Sequence, residues 1–306
     1  MKIFFVGDQR AHFITSDIQI LKENHEVTTL DLSKHATSFR QIPAYLIASA
    51  LEIFRVRASD LIWVWGADYP AIPFVIFSRI FRKPLFINVM GWEVYRAEEI
   101  NYGNQLSTVR GAASRWIIRN ATRAITMSNA YKKIICDLVP GITVEVIPGF
   151  VEDHLFDQQL PEKSGVVTAF CTNSARELKG IPTFEAVSCY VPTMKVIKNI
   201  PHGDLIREFQ KSKVYCQLSR TESFGVSLLE AMACGCVPVV TDRDALPEVI
   251  GEAGLTVPFR NFRKTHYAVK KALTLDGSKA RERAKQFTRE KRKRQIYNIL
   301  KEYDHG

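Results

Sequence analysis

Ser219–Ile250 reads SRTESFGVSLLEAMACGCVPVVTDRDALPEVI, and the order of elements within it decides the kind of fold. Just upstream, Lys213–Leu218 (KVYCQL) has the β-branched and aromatic content of a strand. A polar turn, Arg220-Thr221-Glu222-Ser223, follows. Phe224–Cys234 then predicts a short helix, ended by a left-handed residue at Gly235. Val237–Thr241 (VPVVT) is an unbroken apolar run, as expected of a parallel strand buried on both faces. The product is strand, loop, helix, strand, with Gly225 where the helix begins.

A helix start at the end of a parallel strand presents unpaired N–H groups and the positive end of a dipole to an anion. Open α/β sheets bind ligands along that same edge. Two carboxylates flank the feature, Glu222 in the loop and Glu230 on the helix. At about 100° per residue, Val226, Leu228, Leu229, Met232 and Ala233 share one apolar face, and Glu230 falls beside it. A glutamate on a covered helix needs a hydrogen-bonding partner. A ribose diol would supply one, and Glu222 could hold sugar hydroxyls across the loop. A helix-capping Glu222 and a solvated Glu230 fit the same spacing equally well.

Glu222, seven intervening residues and Glu230, set within ESFGVSLLEAMACGCVPVV, resemble the signature of the retaining GT-B glycosyltransferases of family 4, the glycosyl transferases group 1. Ala245–Ile250 (ALPEVI) is similar to that family's next motif block. About thirty consecutive residues carry the resemblance, far more than a lone glycine pair. It implies an α/β chain of two Rossmann-like, doubly wound domains, an interdomain cleft and a C-terminal crossover helix. It also implies a nucleotide-diphosphate sugar as substrate, UDP- or GDP-linked, with no cofactor and no metal.

The same resemblance implies roles for single residues. Glu222 would fix donor-sugar hydroxyls and stabilise charge at the anomeric carbon, and Glu230 would bind ribose. Lys179 and the N–H groups around Phe224, Gly225 and Val226 would hold the diphosphate. Lys179-Gly180 matches a Lys-Gly pair of the family. Aligned on it, Asn173 stands where the family has an arginine, and Arg176 is the nearest guanidinium. A solvated Lys179 is the plainer alternative. Acceptor-side candidates follow three predicted strands: Gly7 after MKIFFV, Asp68 after LIWVW, and Gly91 with Glu93 after PLFINVM. For Asp68 the alternative is a helix cap, and for Glu93 a surface acid. No histidine occurs from Ala36 to Asp153, where many members place one near the donor sugar. His202 reads as a loop or cap residue.

The chain of 306 residues, 46% apolar and 24% charged, suits about two domains. We expect an acceptor domain over 1–150, a donor domain over 151–285, and a basic helix over 286–306 crossing back to the first. Strands alternating with helices predict parallel sheets. Phe39–Arg57 predicts an amphipathic segment packing Tyr45, Ile53 and Phe54 inward, with membrane contact as the alternative. No apolar run approaches the roughly 20 residues a bilayer requires. Met1-Lys2 leads straight into a strand, so no signal peptide is expected. The six cysteines show no metal spacing, and Cys234 and Cys236 read as two buried thiols of a reducing cytoplasm.

Net charge is +10, concentrated at the end: residues 261–306 hold 14 Lys or Arg against 5 Asp or Glu. Arg289–Arg294 (REKRKR) is a solvated helix face or a contact for an anionic membrane; no nucleic-acid motif accompanies it. The expectation is a cytoplasmic glycosyltransferase, peripheral on the inner face of the cell membrane, acting on a glycan or lipid-linked acceptor. A catalytically silent partner subunit and a nucleotide-sugar epimerase are the rivals.

Overall fold

The computed structural model describes residues 1–34, 42–157, 161–170 and 175–303. Asn173 and Phe39 lie outside the described residues. The chain divides into two compact units: Met1–Met127 with Tyr131–Ile147 and Ile296–Gly306, and Ser128–Ala130 with Pro148–Gln295.

The first unit is built on six parallel strands: β1 (Lys2–Gly7), β2 (Glu26–Asp31), β3 (Leu61–Trp65), β4 (Leu85–Asn88), β5 (Arg123–Thr126) and β6 (Val144–Val146). Their order is β2-β1-β3-β4-β5-β6. The central strands are apolar throughout because helices cover both faces, and all five residues of β3 are buried. Alternation divides the core. Phe4, Val6, Ile62, Val64 and Ile87 share one cluster with Phe74, Ile117 and Ile135 of the helices on that face. Phe5, Trp63 and Phe86 form an aromatic row that continues to Tyr303.

The connecting helices are α1 (His12–Lys22), α2 (Ile42–Leu51), α3 (Ile53–Ala58), α4 (Ile72–Phe81), α5 (Thr108–Arg119) and α6 (Asn129–Leu138). Crossovers between parallel strands are right-handed. The steps β2 to β3, β3 to β4 and β4 to β5 run the same way, so α2 to α5 line one face of the sheet. The step β1 to β2 runs the other way and places α1 opposite. The C-terminal residues join α1, with Tyr297 Oη donating to the Ile20 carbonyl at 2.7 Å.

α1 starts at His12, fed directly by a turn from Asp8 to Ala11. One expectation for this unit needs correction. The segment before Arg57 is broken at Glu52 into α2 and α3, and the break changes the helical phase. Tyr45 and Val56 therefore point inward, while Phe54 is 78% exposed.

The second unit has five parallel strands: β7 (Ser164–Phe170), β8 (Met194–Lys198), β9 (Ser212–Gln217), β10 (Val237–Thr241) and β11 (Leu255–Val257), ordered β11-β10-β9-β7-β8. Its helices are α7 (Ile181–Ser188), α8 (His202–Lys211), α9 (Val226–Ala233), α10 (Leu246–Ile250), α11 (Phe262–Ala272), α12 (Ser278–Ala284) and α13 (Arg289–Lys301). Gly235 follows α9 with φ 78°, the left-handed residue the sequence predicts. Cys234 and Cys236 are buried thiols, pushed up to about 12 by burial, and Cys236 donates to the Phe209 carbonyl. α13 begins in this unit and ends in the first. Arg292 near its start is only 3% exposed and donates to the Pro148 carbonyl, so it adds little to a basic surface.

Candidate active site

β9 and β7 are neighbours in the second sheet, so the loops leaving their ends lie side by side. They touch at Gly180, where φ is +66° and an added Cβ would sit 2.0 Å from the Leu218 carbonyl oxygen. The Arg220 N–H donates to the Leu178 carbonyl at 2.7 Å and fastens the two loops together. This contact carries Lys179 to Glu222: Nζ lies 2.5 Å from Oε2, with both side chains largely covered.

Glu222 is fixed from other sides as well. The Gln217 amide donates to the same Oε2 at 2.7 Å, and the buried Tyr215 hydroxyl donates to Gln217 Oε1 at 2.8 Å. Burial and the nearby charges of Glu222 and Glu230 push the Tyr215 phenol well above its usual range, keeping it a neutral donor. Asp244 holds the backbone, accepting from the Thr221 hydroxyl and the Glu222 N–H while itself at φ 46°. Burial raises its carboxyl above the ordinary aspartate value. Gln217 and Asp244 escape the sequence reading. A polar Gln217 ending an apolar strand was the available signal.

α9 starts at Gly225, whose φ of 95° turns the chain from the loop into the helix. No side chain caps this end, so its first N–H groups remain available to an anion. Phe224 is buried edge-on against Phe287, so it offers a ligand its backbone rather than its ring. One turn past Val226, Glu230 is mostly covered and meets His202 at the start of α8, Nε2 to Oε1 2.8 Å. The bond to Glu230 raises the His202 pKa above 6.5. His202 thus meets Glu230 rather than capping α8, whose start has no side-chain cap. Arg176 forks onto Glu185 of α7, at 2.9 and 2.5 Å, and is not among the groups bonded to Glu222.

Asp242-Arg243-Asp244 has the Asp-x-Asp spacing of many metal sites, which the metal-free expectation overlooked. Asp244 is turned onto Thr221 and Glu222, while Asp242 is exposed beside Arg243. Among the described residues no three His, Cys, Asp or Glu side chains converge as metal ligands.

The acceptor-side candidates lie in the first unit. Glu93 is no surface acid: it is fully buried, and its carboxylate accepts from the N–H groups of Ala67, Met90 and Gly91 at 3.1, 3.2 and 2.7 Å. Burial raises its pKa. It ties the exit of β3 to the exit of β4. Asp68 caps the turn Tyr69–Ala71 through the Tyr69 N–H and pairs with Arg110 at 2.6 Å. Gly91, at φ +136°, lies against the Tyr131 ring, and Gly7 has room for no side chain beside Ile14.

With this geometry in hand, comparison with known proteins defines the class. The chain superposes on sucrose-phosphate synthase from Thermosynechococcus elongatus with a TM-score of 0.80 and 15% identity, over 99% of this chain and 98% of that one. Anabaena HepE, solved with UDP and glucose, gives 0.76 and 16% over 98% and 99%. The fold is GT-B. Residues 192–294, all in the second unit, match the family model described as "Glycosyl transferases group 1", a match that covers about a third of the chain. The O-antigen chain mannosyltransferase B of Escherichia coli is 39% identical over 56 residues, spanning 18% of this chain and 15% of that protein.

Proposed function

We propose that the chain transfers a sugar, with retention of configuration, from a UDP- or GDP-linked donor to a glycan or lipid-linked acceptor. The observation that carries this reading is the Lys179–Glu222 contact beside the uncapped start of α9. One cation, one helix dipole and one carboxylate stand at a single strand edge, which suits a diphosphate joined to a polyhydroxy ring. Glu230, one turn along, would take the ribose.

In the transfer, the bond from the anomeric carbon to the diphosphate oxygen breaks and its electron pair leaves with the diphosphate. The acceptor oxygen bonds the same face of the sugar, and its proton ends on the departing phosphate. Lys179 and the N–H groups of Gly225 and Val226 stabilise the leaving charge. Glu222 holds sugar hydroxyls and faces the positive charge that develops at carbon. These groups need no metal for that work. A lipid-linked acceptor would bring the enzyme to an anionic membrane.

Purified protein incubated with UDP- and GDP-sugars, with and without EDTA, tests this. Release of nucleoside diphosphate is expected in both conditions, with the anomeric configuration of the product read by NMR. Inhibition by EDTA would overturn the metal-free account, and an inverted product the retaining one. Donor binding without turnover on any acceptor would favour the silent partner subunit.

A further inference from the structure

Among the described residues ten large apolar side chains are exposed, and seven of them stand on one helical layer of the first unit. They are Ile47, Leu51 and Phe54 on α2 and α3, Ile76 and Ile80 on α4, and Val109 and Trp116 on α5. Ile47 and Leu51, and likewise Ile76 and Ile80, are four residues apart and Val109 and Trp116 seven, which puts each pair on one outer stripe of its helix, while Phe54 faces solvent from α3. The right-handed crossovers set all four helices on the same side of the sheet, so the stripes face outward together. Arg79 of α4 reaching Asn120 at the end of α5 confirms that two of these outer sides adjoin.

The charge on this layer has one sign. α2, α3, α4 and α5 contain six arginines and no aspartate or glutamate. Arg55 meets Glu52, the residue between α2 and α3, and Arg110 meets Asp68, which precedes α4. Arg79 and Arg115 reach only amide side chains, Asn120 and Gln105. Arg57 and Arg119 pair with no carboxylate among the described residues. Exposed aliphatic and aromatic side chains interleaved with arginine, the acids Glu52 and Asp68 being paired and largely covered, is the composition of a surface lying in a lipid headgroup region.

We propose that the outer face of α2–α5 docks on an anionic lipid bilayer, its apolar side chains entering the headgroup boundary and its arginines meeting lipid phosphates. No helix among the described residues is long and apolar enough to cross a membrane, so the contact is interfacial. A second copy of the chain is the poorer occupant, because a two-fold contact would set these arginines against themselves. This face takes over the membrane role that charge counting alone assigns to Arg289–Arg294, where Arg292 is buried. The proposal stands apart from the transfer reaction, and its test contains no nucleotide sugar.

The full chain is sedimented with vesicles of phosphatidylcholine alone, or of phosphatidylcholine with an equal share of phosphatidylglycerol. Binding is expected only to the anionic vesicles, weakening as salt rises. The double variant Leu51→Ser/Phe54→Ser should weaken it about tenfold or more. Arg79→Gln/Arg119→Gln should do so by a similar factor, and Lys293→Gln/Arg294→Gln by little. Leu51, Phe54, Arg79, Arg119 and Arg294 are exposed and Lys293 is half-buried, and an unchanged unfolding midpoint checks that each variant is folded. Failure of the wild type to bind anionic vesicles would overturn the proposal. So would full binding by Leu51→Ser/Phe54→Ser, or a soluble dimer that this variant dissociates.

Discussion

Lys179 Nζ lies 2.5 Å from Glu222 Oε2 although 43 positions separate them in the chain. Neither residue creates the contact alone. Neighbouring parallel strands set their exit loops together, and Gly180 lets those loops touch. In the free protein the two charges satisfy each other; a bound diphosphate would give the lysine a second, stronger anion.

The first prediction follows from that competition. Lys179→Met should lower affinity for UDP by about tenfold to a hundredfold, the range of a hydrogen bond to a charged group. Affinity for uridine should be unchanged. Calorimetry showing equal losses for both would mean that the lysine does not touch phosphate.

Gly180→Ala should be severe. Its Cβ would meet the Leu218 carbonyl oxygen at 2.0 Å from a backbone at φ +66°, so both loops must separate. We expect a loss of about 2–4 kcal/mol, seen as a lowered unfolding midpoint, and weaker donor binding in whatever remains folded. A variant as stable as the wild type would show that the loops are free to part.

Periodicity and punctuation made much of this legible. Val237–Thr241 is as expected, because a buried parallel strand writes itself into a short run of sequence. Contacts between distant segments do not. Nothing near Glu93 says that Ala67, from another strand exit, will donate to it, so a buried tie resembles a surface acid. The His202–Glu230 pair, 28 positions apart, is hidden for the same reason. Phe54 shows a further limit: a one-residue helix break at Glu52 turns an apolar residue from core to solvent.

The buried tie has its own consequence. Glu93→Ala would leave three N–H groups without their acceptor where water has no ready access. A loss of about 3 kcal/mol or more is expected by denaturant unfolding near neutral pH. Burial raises the folded-state pKa of Glu93, so its charge costs stability as pH climbs from 4.5 through that raised value. The variant should lose this part of the wild-type pH dependence. An unchanged stability curve would assign the loop geometry to other contacts.

The last prediction concerns His202 and proton release. The bond to Glu230 raises the histidine pKa above 6.5 in the free protein. Stability from the pair is therefore complete below 6.5 and fades as pH rises through the raised value. If ribose takes the Glu230 carboxylate, His202 loses its partner and its pKa falls back toward 6.5. Binding then expels a proton from His202 within that window, so donor affinity should increase with pH there and level off above it. One proton limits the slope to about tenfold per pH unit. A nucleotide-sugar diester is the right probe, since it has no phosphate proton that titrates in the same range. Calorimetry in buffers of different ionisation enthalpy should register the released proton directly. His202→Ala should flatten the profile and raise affinity on the acid side, where the competing imidazolium is gone. Glu230→Gln should flatten it too, but with weaker binding at every pH. A pH-independent wild-type affinity would mean that ribose and His202 do not compete for Glu230.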